Sequence, residues 1–293
     1  MDEGDRPGTA GTAVVTGGNR GIGHAVAAAL VRRGCDVVLV ARDRARGEAA
    51  RASLAGLGGA RVQVVTGDLS CVRTTRETAE ALRQACPRID VLVHNAGLWP
   101  SRRALNEDGL EQAFATNHLA PFLLNLELEP LLIASRARVV QVSAGLYVKG
   151  RADPERTPTG MDFHPMRTYA DTKLCNLLLV PLFAGRWKDR GVTVNAVHPG
   201  VIRTGLGDRR GLAGHALRVV KLLWKSPEAG ARPVVRLALL PEAAGWTGRY
   251  FHLEDETPLA SVAADTARAE ALWAQALDLT GIAAAPSPSP EPR

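Results

Sequence analysis

Tyr169 and Lys173 have the types and the spacing of a proton-transfer pair. On a helix, residues i and i+4 project from the same face, one turn apart. An ammonium beside a phenol stabilises the phenolate and lowers the tyrosine pKa from about 10. Ser143 ends an apolar run upstream, and its hydroxyl could orient a carbonyl or alcohol oxygen toward that phenol. Such pairs also occur on solvated helix faces, so the interpretation depends on what surrounds them.

The composition is typical of a soluble globular protein. The 293 residues are 46% hydrophobic and 23% charged, which is enough to bury a sizeable core. No apolar run reaches the length of a membrane span, and residues 1–6 lack the basic-then-apolar order of a signal peptide. The cysteines at positions 35, 71, 86 and 175 are too widely spaced for a metal site or a disulfide framework. We therefore expect no metal, no membrane partner and a cytoplasmic location.

The net charge of +6 does not by itself indicate a nucleic-acid partner. The arginines are scattered over predicted helices and loops, without a basic tract or interleaved aromatic residues. We expect no nucleic-acid binding. The abundance of arginine, alanine and glycine is compatible with a GC-rich bacterial genome.

Short β-branched runs alternate with longer amphipathic stretches along most of the chain. The predicted strands are Thr12–Thr16, Asp36–Ala41, Arg61–Thr66, Val91–His94, Arg138–Val142, Val192–Val197 and Arg249–Leu253. The predicted helices are Gly21–Arg33, Ala45–Leu57, Arg73–Ala85, Leu110–Ala134, Thr168–Arg190, Pro227–Leu239 and Ser261–Leu279. This alternation predicts an α/β fold, a doubly wound parallel sheet of about seven strands with helices on both faces.

The organisation is that of one domain with short tails. We predict a flexible N-terminus over residues 1–10, a single domain over 11–280 and a disordered tail rich in proline and serine over 281–293. Within the domain, residues 201–226 are predicted to form a lid over the substrate.

A glycine cluster follows the first predicted strand and precedes an alanine-rich helix. Gly17, Gly21 and Gly23 would allow a tight turn and a close approach of the backbone to a pyrophosphate. The helix N-terminus behind the turn offers free N–H groups and the positive end of a dipole. Between a strand and a helix, this cluster predicts a nucleotide-binding site.

The chain resembles the short-chain dehydrogenase/reductase family from about Thr12 to Leu253. The glycine turn and the segments after the third, fourth and sixth strands match the family's cofactor-binding segments in order. The resemblance implies a Rossmann-type domain that binds a nicotinamide cofactor. It assigns cofactor binding to Gly17, Asn19, Arg20, Gly21, Ile22, Gly23, Asp68, Leu69, Asn95, Ala96, Gly97, Tyr169, Lys173, Pro199, Gly200, Ile202 and Thr204.

The same resemblance implies the catalytic roles. Tyr169 would give a proton to a carbonyl oxygen as hydride arrives from the nicotinamide, or accept one in the reverse reaction. Lys173 would lower the Tyr169 pKa and bind the nicotinamide ribose. Ser143 would hold the substrate oxygen, and Asn117 would connect Lys173 through water to solvent.

The end of the second predicted strand favours NADP(H) over NAD(H). An acid there would bind the ribose hydroxyls of NAD and repel a 2′-phosphate. This strand instead ends at Arg42, which together with Arg20 could clamp the phosphate. Asp43 follows, and we interpret it as the N-cap of the next helix.

Three residues near these motifs have alternative interpretations. His94 replaces the first asparagine of the family's Asn-Asn-Ala-Gly motif, and we favour a structural hydrogen bond over a titrating role. Tyr147 could compete with Tyr169 as the acid, but Arg151 stands where a lysine partner would be needed. Cys175 is expected to pack away from the catalytic face.

Two segments should shape the substrate pocket. The connection 144–168 is long and carries Tyr147, Met161, Phe163, His164 and Met166. The lid carries apolar residues and the charged or titratable side chains Arg203, Arg209, Arg210 and His215. These features suit a bulky apolar substrate.

The long connection and the motifs around Asn117 and Tyr169 resemble the retinol-dehydrogenase-like branch of the family. That branch includes bacterial ketoreductases that act on anthracycline-type aromatic polyketides. We therefore expect NADPH-dependent reduction of a ketone or aldehyde on a bulky, hydrophobic, polyketide-like substrate, in secondary metabolism. The alternatives are a dehydrogenase that oxidises a hydrophobic alcohol and an NADP(H)-sensing protein without catalysis. The apolar stretch Leu174–Phe183 predicts a homodimer or homotetramer.

Overall fold

The computed structural model describes residues 11–202 and 225–283. Three segments lie outside the described residues: 1–10, most of the predicted lid (203–224) and most of the tail (284–293). The prediction that Thr204 binds the cofactor concerns one of these segments.

Within the described residues, eight strands form one sheet. They are β1 (Thr12–Thr16), β2 (Asp36–Ala41), β3 (Val62–Thr66), β4 (Val91–His94), β5 (Arg138–Val142), β6 (Thr193–His198), β7 (Tyr250–His252) and β8 (Asp255–Glu256). Their order across the sheet is β3-β2-β1-β4-β5-β6-β7-β8. Every neighbouring pair is parallel except β7 and β8, which are antiparallel.

The helices lie between the strands, as the alternating sequence pattern predicts. They are α1 (Gly21–Val31), α2 (Arg44–Leu54), α3 (Val72–Ala85), α4 (Gln112–Phe114), α5 (Ala120–Glu127), α6 (Glu129–Ser135), α7 (Pro165–Arg186), α8 (Pro227–Leu239) and α9 (Thr266–Thr280). A π-helical turn, Ala115–Leu119, joins α4 to α5. Shorter 3₁₀ turns occur at Gly145–Lys149, Pro241–Gly245 and Ser261–Ala263.

Each face of the sheet has its own hydrophobic core. Along β1, Val14 belongs to one buried cluster, whereas Ala13 and Val15 belong to the other. This alternation follows from the two-residue period of a strand. Residues of α1, α2 and α8 cover one face, and those of α3, α5, α7 and α9 cover the other. The continuous apolarity of β2 is therefore explained by burial on both sides.

The strand order reverses between β1 and β4, which are direct neighbours. From β1 the chain winds outward to β2 and β3, and from β4 it winds the opposite way to β5 and β6. Connections on either side of such a point leave the sheet in opposite directions, which opens a crevice at the carboxyl ends of the two strands. The glycine turn follows β1, and Asn95-Ala96-Gly97, called the Asn95 motif below, follows β4.

The structure differs in detail from two predictions about the elements. The sheet has eight strands rather than about seven, because Asp255–Glu256 folds back antiparallel on β7. The predicted helix Leu110–Ala134 is broken into α4, a π-helical turn, α5 and α6. Pro121 and Pro130 stand at the starts of α5 and α6, where the missing N–H of proline is tolerated.

The apolar stretch on α7 is covered within the chain. Helix α9 packs against it, with Trp273 in edge contact with Phe183 at 4.7 Å and with Phe122 at 5.1 Å between ring centroids. Leu174 and Leu177 are fully buried. The length of this apolar stretch therefore does not require a second copy of the chain.

No helix in the two described ranges is long and apolar enough to cross a membrane.

Candidate active site

The glycine turn after β1 is held by the segment after β4. Gly17 and Gly21 have φ values of 63° and 56°, the left-handed region that glycine adopts without strain. The side-chain amide of Asn95 donates to the carbonyl oxygens of Thr16 at 2.9 Å and Gly17 at 3.2 Å. A Cβ on Gly23 would lie 2.4 Å from that amide nitrogen, so only glycine fits there. The turn and the Asn95 motif thus form one unit at the crevice.

The helix behind this turn begins without a side-chain cap. Arg20 is the N-cap of α1 and makes no capping hydrogen bond through its side chain. The first N–H groups of the helix, from Gly21 onward, are therefore available to an acceptor, together with the positive end of the helix dipole. Uncapped N–H groups behind a glycine turn fit a pyrophosphate.

Two charged residues, Arg42 and Asp43, follow β2. Arg42 is exposed. The Asp43 side chain accepts a hydrogen bond of 3.0 Å from the backbone N–H of Arg46 and caps α2, as its N-cap interpretation expects. The carboxylate is thereby directed to the helix, and the guanidinium of Arg42 remains exposed for an anionic group.

Asp68 and Leu69 follow β3 at the same edge of the sheet. An Asp68 carboxylate oxygen accepts from the backbone N–H of Ser70 at 3.0 Å, and Leu69 is buried. This bond fixes the turn that leads into α3.

Tyr169 lies on α7 with its ring against Trp99. The two rings are parallel within 2° and their centroids are 4.6 Å apart. Only 5% of the Tyr169 surface is exposed, and burial raises the pKa of Tyr169 above its ordinary value. The phenol is therefore protonated at neutral pH and is available as a proton donor.

Lys173 lies one helical turn after Tyr169, as the i, i+4 spacing predicts. Its ammonium donates to the carbonyl oxygen of Val142 at 3.0 Å and lies 5.7 Å from the centroid of the Tyr169 ring. Burial lowers the pKa of Lys173 to about 8. The sequence led us to expect a lowered pKa for Tyr169, but desolvation outweighs the lysine charge at this distance.

Ser143 follows β5 beside this lysine anchor. Its backbone N–H donates to the carbonyl oxygen of Val197 at 2.8 Å, which places it over the end of β6. Its hydroxyl is buried and has no hydrogen-bond partner among the described residues. A buried hydroxyl of this kind can serve a substrate oxygen.

Asn117 is buried in the π-helical turn, and its side chain is fully used. The amide donates to the carbonyl oxygen of Leu98 at 2.9 Å and to the hydroxyl of Thr172 at 3.1 Å. The amide oxygen accepts the N–H of Leu98 at 2.8 Å. A Cβ on Gly97 would lie 3.3 Å from this oxygen and 3.9 Å from the Lys173 nitrogen, so Gly97 passes close to both groups. Only the main chain of Asn117 is left to serve a relay.

The Pro199-Gly200 segment follows β6. Gly200 has a φ of 90°, which again requires glycine. Ile202 forms a bridge with Lys225, and its side chain is close to Ile22 of α1, on either side of Gly230. This segment therefore reaches the first turn of α1 and closes one side of the crevice.

Comparison with known proteins agrees with this geometry. Residues 11–212 match the family model of short chain dehydrogenases. This chain belongs to the short-chain dehydrogenase family. It is 36% identical to retinol dehydrogenase 14 of Mus musculus over 92% of this chain and 86% of that protein. It is 35% identical to retinol dehydrogenase 13 of Homo sapiens, over 93% and 85%.

Solved structures of other proteins have the same fold. An uncharacterized protein from Mycobacterium paratuberculosis is similar with a TM-score of 0.71 and 29% identity, over 92% of this chain and 93% of that one. A short chain dehydrogenase from Burkholderia cenocepacia J2315 in complex with NADP is similar with a TM-score of 0.67 and 25% identity, over 84% and 97%.

The alternative residues have structural roles in this short-chain dehydrogenase. The Tyr147 hydroxyl accepts the N–H of Ala260 at 3.0 Å, so Tyr147 is engaged away from Tyr169. His94 is buried and bonds through its Nε2 to Asn125 at 2.8 Å, which agrees with the structural interpretation. Cys175 is fully buried.

Sequence reasoning missed three residues that contact the site. Trp99 stacks on Tyr169, and Asn176 donates to the main-chain carbonyl of Asn117 at 2.8 Å. His118 in turn bonds to Asn176 at 3.2 Å. Asn176 had a signal, because it lies three residues after Lys173 on the same face of α7. Trp99 had none, because its contact depends on how the loop after β4 folds.

Proposed function

We propose that this chain is an NADP(H)-dependent oxidoreductase that interconverts a hydrophobic carbonyl compound and its alcohol. The observation that carries the proposal is the protonated, buried phenol of Tyr169, with Ser143, Lys173 and Asn117 around it at the carboxyl edge of the sheet. The glycine turn follows β1 at the same edge, and β4 lies between β1 and β5 in the sheet.

The chain's own residues account for the proton. In reduction, the O–H bond of Tyr169 breaks and its proton passes to the carbonyl oxygen, which becomes the alcohol hydroxyl. The Ser143 hydroxyl holds that oxygen, and the positive charge of Lys173 stabilises the phenolate left behind. The main-chain carbonyl of Asn117 would hold a water molecule that passes the replacement proton to Lys173, because a carbonyl oxygen accepts hydrogen bonds and has no proton of its own to give. When bound, the dinucleotide supplies the hydride in reduction and takes it up in oxidation.

Two features support NADP(H) as the cofactor. Arg42 at the end of β2 and Arg20 in the glycine turn are both exposed and could bind a 2′-phosphate, and Asp43 is occupied as a helix cap. The relative from Burkholderia cenocepacia was solved with NADP. The uncapped start of α1 would hold the pyrophosphate.

The substrate class rests on exposed apolar side chains in the segments that adjoin the site residues in sequence. Among the described residues, Met161 is 72% and Met166 is 49% exposed, and both lie between Ser143 and Tyr169 in the chain. Val148 in the same connection and Val201 after the Pro-Gly turn are also exposed. Apolar groups left in water around a catalytic site favour a hydrophobic ligand.

The similarity to retinol dehydrogenases changes which hydrophobic substrate we favour. Two of them are retinol dehydrogenases, which favours a long apolar alcohol and its aldehyde over the polycyclic, anthracycline-type ketone of secondary metabolism. The polycyclic ketone remains the second candidate, since the apolar connection would suit it equally. A cytoplasmic location, supported by four buried cysteines that form no disulfide, completes the proposal.

Initial rates against a graded panel test the proposal. We expect NADPH to support reduction of all-trans-retinal with a kcat/KM about tenfold or more above that for a small aldehyde such as propanal. The anthracycline-like ketone should fall between them. Activity on small aldehydes alone would contradict the hydrophobic site. No turnover of any carbonyl or alcohol, with intact cofactor binding, would instead indicate the cofactor-sensing alternative.

Cofactor preference is tested in the same assay. Arg42→Ala should raise the KM for NADPH by roughly tenfold and leave the KM for NADH unchanged, because it removes one charged contact to phosphate. Arg51→Ala, which removes a similarly exposed arginine farther along α2, is the matched control. A clear wild-type preference for NADH would contradict the assignment.

A further inference from the structure

The carbonyl group of Asn117 lacks its usual helical partner for a reason visible in the sequence. In an α-helix the carbonyl of residue i accepts the N–H of residue i+4. Residue 121 is proline, which has no N–H. The helix widens into the π-helical turn just before this point, where the N–H of Ala120 donates to Ala115. The Asn117 carbonyl therefore lacks its i+4 donor, and a donor from another element can take that place.

Asn176 on α7 is that donor. Its side-chain amide nitrogen lies 2.8 Å from the Asn117 carbonyl oxygen, in the buried space between the two helices. Because the nitrogen must face this carbonyl, the orientation of the amide is fixed. The Asn176 amide oxygen therefore faces the Nδ1 atom of His118, 3.2 Å away.

This orientation sets the tautomer of His118. An amide oxygen can only accept, so Nδ1 of His118 must carry the proton. Burial lowers the pKa of His118 to about 4, so the ring is neutral at neutral pH and its Nε2 is an acceptor. That Nε2 is buried and has no donor within the described residues. His118 itself therefore cannot act as a general acid.

A small cavity lies next to this pair. Its volume is about 20 Å³, and its polar lining comes from His118, Asn125, Gln141 and Asn176. One water molecule needs about 10–15 Å³ of such space and two to four polar partners. The amide oxygen of Asn125 accepts a hydrogen bond of 2.8 Å from Nε2 of His94. The N–H groups of the same amide therefore do not face His94. Water can donate to Nε2 of His118 and accept from an amide.

We propose that Asn176 and His118 are positioning residues that orient the Asn117 carbonyl for the proton relay. One water molecule in the cavity completes them and holds His118 in its Nδ1–H tautomer. The inference rests on the proposed function, because the relay serves Tyr169 through Lys173. It adds a layer of groups behind the catalytic residues that never touch substrate.

Kinetics of a near-isosteric variant test the positioning role. Asn176→Leu removes the donor, and we expect kcat to fall about tenfold or more, in whichever direction the enzyme turns over, with a KM for cofactor within about threefold of wild type. The solvent deuterium isotope effect on kcat should rise, because proton delivery becomes slower. His118→Asn, which retains an N–H donor, should keep more activity than His118→Leu.

Asn195→Leu is the matched control. Asn195 is also buried and donates to the carbonyl oxygen of Trp246 at 2.6 Å, but on β6, away from the relay. It should lower thermal stability by a similar amount and leave kcat per folded molecule within about twofold. If Asn176→Leu shows the same kcat and isotope effect as this control, the positioning role is overturned.

Nitrogen-15 NMR of labelled histidine tests the tautomer without turnover. One neutral ring should carry its proton on Nδ1, show a hydrogen-bonded Nε2 and not titrate between pH 5 and 8, and its signals should vanish in His118→Asn. A His118 ring protonated on Nε2, or titrating near its ordinary value, would contradict the inference. This result does not depend on turnover, so it is distinguishable from failure of the proposed function, which the activity of the wild type tests.

Discussion

At the scale of single residues, burial acts in opposite directions on the two titrating groups of the site. It raises the pKa of Tyr169 and lowers that of Lys173 to about 8. Both shifts follow from the cost of a charge in a desolvated place. Tyr169 therefore keeps its proton throughout the neutral range. As the pH is raised, Lys173 loses its proton before Tyr169 does.

The pH dependence of reduction should report Lys173. The charged form of Lys173 exists below its folded pKa, so kcat/KM for carbonyl reduction should be constant near pH 7 and fall above about pH 8. Tyr169 contributes nothing in this range, since its pKa is raised above the ordinary value of 10. A pH–rate profile from 6 to 10 measures this directly.

The variant Lys173→Arg tests whether Lys173 is the group that titrates above pH 8. A guanidinium keeps its charge at every accessible pH, so the fall above pH 8 should disappear even though activity is lower. An unchanged alkaline limb in this variant would show that another group titrates there.

At the scale of elements, the connection between Ser143 and Tyr169 is tied to the catalytic helix. Asp171, two residues before Lys173, accepts the backbone N–H groups of Arg151 at 2.6 Å and Ala152 at 3.3 Å. Gly150 lies so close to α7 that a Cβ would be 2.7 Å from the Ala170 carbonyl oxygen. One helix thus carries the proton donor on one face and anchors the substrate-side connection on another.

Removing this anchor should loosen the connection. Asp171→Ala leaves two N–H groups without their acceptor, and we expect the free energy of unfolding in urea to fall by about 1–3 kcal/mol. Trypsin should also cut faster after Arg151 or Arg156. Asp171→Asn keeps an acceptor oxygen and is the control. Equal rates of cleavage in the two variants would contradict the anchoring role.

The strands could be predicted closely, whereas the irregular elements could not. β1, β2, β4 and β5 have the predicted bounds, because their β-branched runs are buried on both faces. β8 consists of two exposed acids without strand propensity and exists only through its pairing with β7. Pro121 in the sequence indicates the break in the predicted helix Leu110–Ala134. The prediction missed it because it relied on hydrophobic periodicity alone.

At the scale of the whole molecule, the topology brings together segments that are far apart in sequence. The turn after β1 and the motif after β4 meet because these strands are neighbours where the order reverses. Ser143 and the Pro199-Gly200 turn meet because β5 pairs with β6. The order of these motifs could therefore be predicted, but the hydrogen bonds behind Asn117 depend on how α7 packs against the π-helical turn.

The same topology implies that cofactor binding and proton transfer are separable. In the proposed site, the glycine turn, the Asn95-Ala96-Gly97 segment and Arg42 would hold most of the dinucleotide, and the hydrogen bonds that shape this turn do not involve the Tyr169 hydroxyl. The aromatic stack with Trp99 involves the ring and not its oxygen. Phenylalanine at position 169 should therefore keep the packing and lose only the proton donor.

The most direct test of the account is therefore a paired measurement on Tyr169→Phe. The Kd for NADPH, from quenching of tryptophan fluorescence, should stay within about threefold of wild type, while kcat falls by about a thousandfold or more. Thermal stability should change little. If the variant instead keeps more than about a tenth of wild-type kcat, Tyr169 is not the proton donor and the proposed site is wrong.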